Sequence, residues 1–177
     1  KDPGSEELRE VQSRARLIYQ LCGIPFVDLT HISRSNISGD VLEYHRMKTG
    51  TKVCVKLLDS VAEAMSSFTE EGSSSPVGKG KYLLNILRSD CGFRSLKGYS
   101  EYQSALRRFN KSLRSLGKTL GLKERISSYT LRHSWATTAK YTGAPIATIS
   151  EPIGHKSPRT TQIYLSSFNV NELANVN

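Results

Sequence analysis

No stretch of this 177-residue chain approaches the roughly 20 consecutive apolar residues that a bilayer span requires, so no membrane partner is expected. Cysteine is scarce: Cys22, Cys54 and Cys91 are odd in number and widely spaced. That spacing excludes a disulfide framework and a paired-cysteine zinc site, and it favours a reducing compartment, the cytoplasm. Carboxylates are thin as well, 16 Asp and Glu against 25 Lys and Arg. Neither carboxylate clusters nor Cys/His ligand sets occur, and no metal or other cofactor is expected. Low-complexity sequence is confined to one loop, Ser73–Ser74–Ser75–Pro76 followed by Gly78–Lys79–Gly80. With 37% hydrophobic and 23% charged residues, the composition is that of a globular domain long enough to bury one core.

The charge that remains is unevenly placed. Residues 1–80 hold 10 basic and 11 acidic side chains, net −1, whereas residues 81–177 hold 15 basic and 5 acidic, net +10. The whole-chain net of +9 therefore belongs to the second half, and the asymmetry points to a polyanion, nucleic acid, as partner.

Local patterning predicts a mainly helical chain with a small antiparallel sheet, an α+β architecture. Ser5 with Glu6 and Glu7 opens a helix running to about Leu21, stopped by Gly23 and Pro25. Phe26, Val27, Leu29 and Ile32 form a short apolar helical segment. Residues 41–48 alternate, Thr49–Gly50 turns, and Val53, Val55 and Leu57 return on one face, which reads as a hairpin. Asp59 caps a helix through Phe68. Across residues 102–120, Leu106, Phe109, Leu113, Leu116 and Leu120 recur at helical spacing. Beside that seam Arg107, Lys111, Arg114 and Lys118 repeat at the same period, a basic edge suited to a phosphate backbone. Ser127 or Ser128 caps a helix ending near Gly143, and Ser157–Pro158 starts another that carries Tyr164.

Four sequence features then fall in order: Gly23–Ile24–Pro25–Phe26–Val27–Asp28–Leu29, Arg46–Met47–Lys48–Thr49–Gly50, the R-H-S-W-A-T run from Arg132, and Gly154–His155 with Tyr164 nine residues on. Together they resemble the catalytic domain of the tyrosine recombinases, the integrase family of phages and conjugative transposons, over essentially the whole chain. The resemblance implies strand cleavage and rejoining on double-stranded DNA through a 3′-phosphotyrosyl link, without metal. It makes Tyr164 the nucleophile, Arg132 a phosphate clamp, His155 a second donor and proton carrier, and Lys48 the general acid for the leaving 5′-oxygen. An arginine fork suits that task because it stays charged and donates two hydrogen bonds at once. The resemblance also implies a tetramer on DNA, with a C-terminal segment such as residues 168–177 exchanged between neighbours. Residues 1–177 correspond to the catalytic domain, with N-terminal DNA-binding domains expected upstream.

Two family positions depart from the pattern. The first-box clamp arginine is missing: Pro25 stands after the Gly-plus-apolar pair, and Cys22 precedes the glycine. The His-x-x-Arg box reads Tyr129-x-x-Arg132, and Tyr129 is a hydrogen-bond donor rather than a proton acceptor at neutral pH. Arg46 is the expected substitute for the missing clamp, since residues two apart in a strand share a face and Arg46 and Lys48 would meet one phosphate. Arg16 and Arg34 are weaker substitutes. His133, next to Arg132, is assigned a structural place pointing elsewhere. Two other classes stay open: a catalytically impaired DNA-binding accessory module of the same family, and a relative of the type IB topoisomerases.

Overall fold

The computed structural model describes residues 3–66, 81–88 and 92–166. Helix α1 (Glu6–Gln20) begins where Ser5 accepts a hydrogen bond from the Leu8 N–H, with Glu6 and Glu7 in the first turn. It ends at two left-handed residues, Cys22 and Gly23, which turn the chain into the short helix α2 (Phe26–Thr30). Phe26 stacks on Phe109 with ring centroids 4.7 Å apart, fixing α2 against the long helix α4 (Leu96–Thr119).

A 3-10 turn at Arg34–Asn36 leads into a sheet ordered β1 (Ile37–Ser38), β2 (Val41–His45), β3 (Lys52–Lys56), antiparallel throughout. Strand β1 adds to the hairpin expected from sequence; two residues carry too little alternation to be legible. Leu42, Tyr44, Val53 and Val55 face the core while Glu43 and Cys54 face out, as the period-two pattern requires. Helix α3 (Asp59–Ser66) follows, and the expected continuation to Phe68 and the loop at 73–80 lie outside the described residues.

Helix α4 starts six residues before the periodic region because Ser95 caps it, accepting from the Gly98 N–H at 3.0 Å. Its buried side, with Phe109, Leu113 and Leu116, packs on α1. Arg107, Lys111, Arg114 and Lys118 are all exposed, and at about 100° per residue they centre on the pole opposite that seam rather than on its edge. Next come α5 (Ser128–Tyr141), α6 (Ile146–Ser150) and α7 (Pro158–Ser166). Ser127 caps α5, and Asn110 of α4 accepts from the Ser128 N–H at 2.8 Å, pinning the start of α5.

One large apolar cluster joins α1, α2, the sheet, α3 and α4 with Tyr82, Leu83, Leu84 and Leu87. A small one, Ala136, Ile149, Ile153 and Leu165, joins α5, α6 and α7. That second cluster places His155 and Tyr164 beside Arg132. Among the described residues no helix is long and apolar enough to cross a membrane.

Candidate active site

The site is assembled around one backbone carbonyl, that of Ile153. Arg132 is 7% exposed and donates from one terminal nitrogen to the Gly23 carbonyl and from the other to the Ile153 carbonyl, each at 2.6 Å. Arg46 donates to the same Ile153 oxygen and pairs through Nε with Asp28 at 2.7 Å. Asp28, 2% exposed, also accepts from the Met47 N–H at 2.8 Å, so one carboxylate ties α2 to the hairpin turn. Burial pushes the Asp28 carboxyl above its ordinary value, against the pull of the Met47 N–H, Arg46 and Arg132. Burial first, and the Arg46 charge second, bring Arg132 down to about 10, which leaves it charged at neutral pH.

Two glycines make this close assembly sterically feasible. Gly23, at φ 69°, lies so close to Arg132 that a Cβ would sit 3.1 Å from its Cα and carbonyl oxygen. Gly154, at φ 61°, leaves no room at all: a Cβ there would fall 2.7 Å from Cγ of Arg46.

Above the guanidinium groups lies a ring cluster. His155 places Nδ1 2.9 Å from the hydroxyl of Thr161, a fully buried residue of α7, and this contact orients the imidazole. Further along α7, Tyr164 meets the His155 ring at 5.5 Å, centroid to centroid. The Tyr164 hydroxyl oxygen lies 2.6 Å from Nδ1 of His133. Tyr129, 59% exposed, stacks on His133 at 5.6 Å and presents its edge to Tyr164 at 6.3 Å. Burial, then Tyr129, push the Tyr164 phenol above its ordinary value, with Arg132 pulling the other way. Burial holds both histidines below theirs, and Arg132 and Arg46 add to the effect on His155.

Arg132, His155, Tyr164, Tyr129 and Arg46 thus converge, although they come from four separate stretches of chain. Two sequence expectations need correction. His133 does not point elsewhere: it lies one turn after Tyr129 on α5 and reaches Tyr164. Nor do Arg46 and Lys48 share a strand face, because β2 ends at His45. Arg46 closes a turn, its carbonyl accepting from the Gly50 N–H at 2.8 Å, and Lys48 stands exposed within that turn while Arg46 is buried. Arg16 and Arg34 are exposed. Cys22 is half-buried, and burial pushes its thiol up to about 11, so it is neutral at physiological pH. Asp28, Ile153 and Thr161 are not among the site residues expected from sequence: the first sits inside the first box, which reads as lacking its arginine, the second acts through its backbone, and the third lies on the α7 helix that carries Tyr164.

A family model described as the phage integrase family matches residues 18–170. The chain belongs to that family, the tyrosine recombinases. Among relatives, tyrosine recombinase XerC of Rhizobium meliloti (strain 1021) is 27% identical over 144 residues, covering 81% of this chain and 41% of its own length. The XerC of Rickettsia bellii (strain OSU 85-389) is 43% identical over 56 residues, 32% of this chain and 18% of the relative. This chain thus spans less than half the length of either relative. Among solved structures, XerA recombinase superposes with a TM-score of 0.62 at 22% identity, over 97% of this chain and 60% of that one. A lambda integrase dimer bound to a COC′ core site gives 0.61 at 17% identity, over 89% and 52%. The Tn1549 transposon integrase in complex with transposon right end DNA gives 0.60 at 11%, over 97% and 61%. The mainly helical fold with its small antiparallel sheet is therefore that of the tyrosine recombinase catalytic domain.

Proposed function

We propose that residues 1–177 supply the catalytic part of a site-specific recombinase that cleaves and rejoins duplex DNA in the integration, excision or inversion of a mobile element. The observation that carries this reading is the convergence of Tyr164 on this site, its ring against His155 and its hydroxyl at His133, within the electrostatic reach of Arg132. Tyr164 attacks phosphorus and the 3′-phosphate stays on its oxygen. Arg132 holds the non-bridging oxygens with the guanidinium donors left over from its two carbonyls, and Arg46 stands beside it as the substitute clamp. His155, oriented by Thr161, supplies a further hydrogen bond. Lys48, exposed on the hairpin turn that Asp28 anchors, protonates the leaving 5′-oxygen. Charge that a metal could stabilise elsewhere falls here to the two arginines. The exposed stripe of Arg107, Lys111, Arg114 and Lys118 tracks the backbone of the duplex, and the active assembly is a tetramer on DNA.

A second reading, a DNA-binding accessory module with impaired turnover, is favoured by one observation: the first-box clamp is replaced by Pro25 and by the neutral thiol of Cys22. A nicked suicide duplex separates the two. A covalent protein–DNA complex that disappears in Tyr164→Phe supports the recombinase, whereas tight binding with no complex supports the module.

A further inference from the structure

We propose that His133 is the proton acceptor for the Tyr164 hydroxyl, a catalytic residue touching the reacting oxygen; this rests on the strand-transfer reading above. The contact of 2.6 Å between Nδ1 and the hydroxyl oxygen is within proton-transfer reach, and it spans two helices, α5 and α7. The imidazole is held on one side by the stacked ring of Tyr129 and meets the Tyr164 ring at 4.7 Å and 87°. The titratable and charged groups around the pair are Tyr129 and Arg132 from α5, His155 from the α6–α7 connection and Tyr164 itself.

Those neighbours leave His133 as the acceptor. Tyr129 also hydrogen-bonds the Tyr164 phenol, but a phenol hydroxyl is a poor proton acceptor. His155 engages Thr161 through Nδ1 and meets Tyr164 ring to ring at 5.5 Å. A half-buried phenol with a raised pKa cannot ionise unaided at neutral pH, while the half-buried neutral imidazole beside it is a competent base. In cleavage the bond from the Tyr164 oxygen to phosphorus forms as the bond from phosphorus to O5′ breaks. The phenolic proton passes to His133 Nδ1, and the leaving 5′-oxygen takes its proton from Lys48. In rejoining, the bond from an incoming 5′-oxygen to phosphorus forms as the bond from phosphorus to the Tyr164 oxygen breaks; the 5′-hydroxyl gives its proton to Lys48, and the His133 imidazolium returns its own to the Tyr164 oxygen. No outside reactant is consumed.

The test is single-turnover adduct formation by the full chain on a nicked suicide duplex between pH 5.5 and 9, in wild type, His133→Ala and His133→Asn. Asparagine places a polar atom near Nδ1 but cannot take a proton. Both variants are expected to slow cleavage at neutral pH by about 10²- to 10⁴-fold and to lose the rise in rate that deprotonation of the His133 imidazole gives wild type. Imidazole added to His133→Ala is expected to restore part of the rate. If wild type forms the adduct and both variants match its rate and pH profile, or His133→Asn alone restores them, the inference is overturned while the recombinase reading stands. If wild type forms no adduct, both fall. A DNA-free measurement stands apart from folding of the variants: nitrogen chemical shifts of wild-type His133 should show an unprotonated Nδ1 at neutral pH, and a protonated Nδ1 would overturn the assignment.

Discussion

Arg46 and Arg132 donate to the same carbonyl oxygen, that of Ile153, although 86 residues of sequence separate them. Two like charges are brought together in a buried site, where the Asp28 carboxylate offsets them. Their shared acceptor is the geometric basis for the claim that Arg46 substitutes for the missing clamp. Arg46→Ala is therefore expected to lower the cleavage rate by about 10²- to 10³-fold, the usual loss when a donor to a developing charge is removed. It should also destabilise the fold by about 3 kcal/mol, because Asp28 is deprived of its ion-pair partner in a buried site. Arg46→Lys keeps the charge but not the fork, and should fall between the two. Wild-type cleavage rates in both variants would remove Arg46 from the site.

Gly154 and Gly143 form a controlled pair. Both have positive φ, 61° and 82°, but a Cβ meets Arg46 at Gly154 and nothing within 4 Å at Gly143. Gly143→Ala should cost about 1–2 kcal/mol, the left-handed penalty alone. Gly154→Ala should cost more and should depress cleavage by displacing Arg46. Equal losses in chemical denaturation would argue that Gly154 serves only the turn.

The two lowered histidines give stability a pH dependence of definite sign. Folding holds His133 and His155 below the value of about 6.5 that they take in the unfolded chain. As pH falls through about 6.5 the unfolded chain binds protons first, so stability declines from there until the lower folded values are reached. Denaturation midpoints measured from pH 7.5 to 5.5 should show this decline, and replacing both histidines with glutamine should flatten it. An unchanged slope would contradict the burial of the two rings.

Cys22 offers a gain-of-function test. It precedes Gly23, whose carbonyl holds Arg132, and its thiol is neutral. Cys22→Arg should raise cleavage by restoring positive charge beside Arg132. An unchanged or lower rate counts against the idea that the missing arginine limits activity.

The stripe on α4 makes a different kind of claim, about binding alone. Removing one phosphate-binding side chain should reduce the slope of log K against log salt by about 0.9. Replacing Arg107, Lys111, Arg114 and Lys118 singly with glutamine should weaken binding to any duplex sequence similarly. A slope unchanged in all four variants would place the stripe off the DNA.

The fold is legible in the sequence wherever a period or a cap is strong. Ser5, Ser127 and Ser157–Pro158 mark helix starts, and the alternation of Leu42, Tyr44, Val53 and Val55 marks the hairpin. The start of α4 escapes because Leu96 and Lys97 carry no apolar period and only the Ser95 cap defines it. Strand β1 and helix α6 are too short to carry a pattern, and residues 82–87 join the core without a regular element. At the site, chemistry-bearing side chains are legible and their supports are not. The meeting of His133 with Tyr164 is hidden because a contact 31 residues apart is set by how α7 packs on α5, which no local spacing encodes. Lys48 lands off the Arg46 face because the strand rule stops at His45, one residue before it is needed.

The most direct measurement is to map the point of attachment between protein and DNA. The full chain is trapped on a nicked suicide duplex and digested, and the peptide carrying the nucleotide is identified by mass. The expected products are a 3′-phosphate on Tyr164 and a free 5′-hydroxyl on the released strand. Attachment at another side chain, such as the neighbouring Tyr129, or the opposite DNA polarity, would contradict the 3′-phosphotyrosyl link at Tyr164.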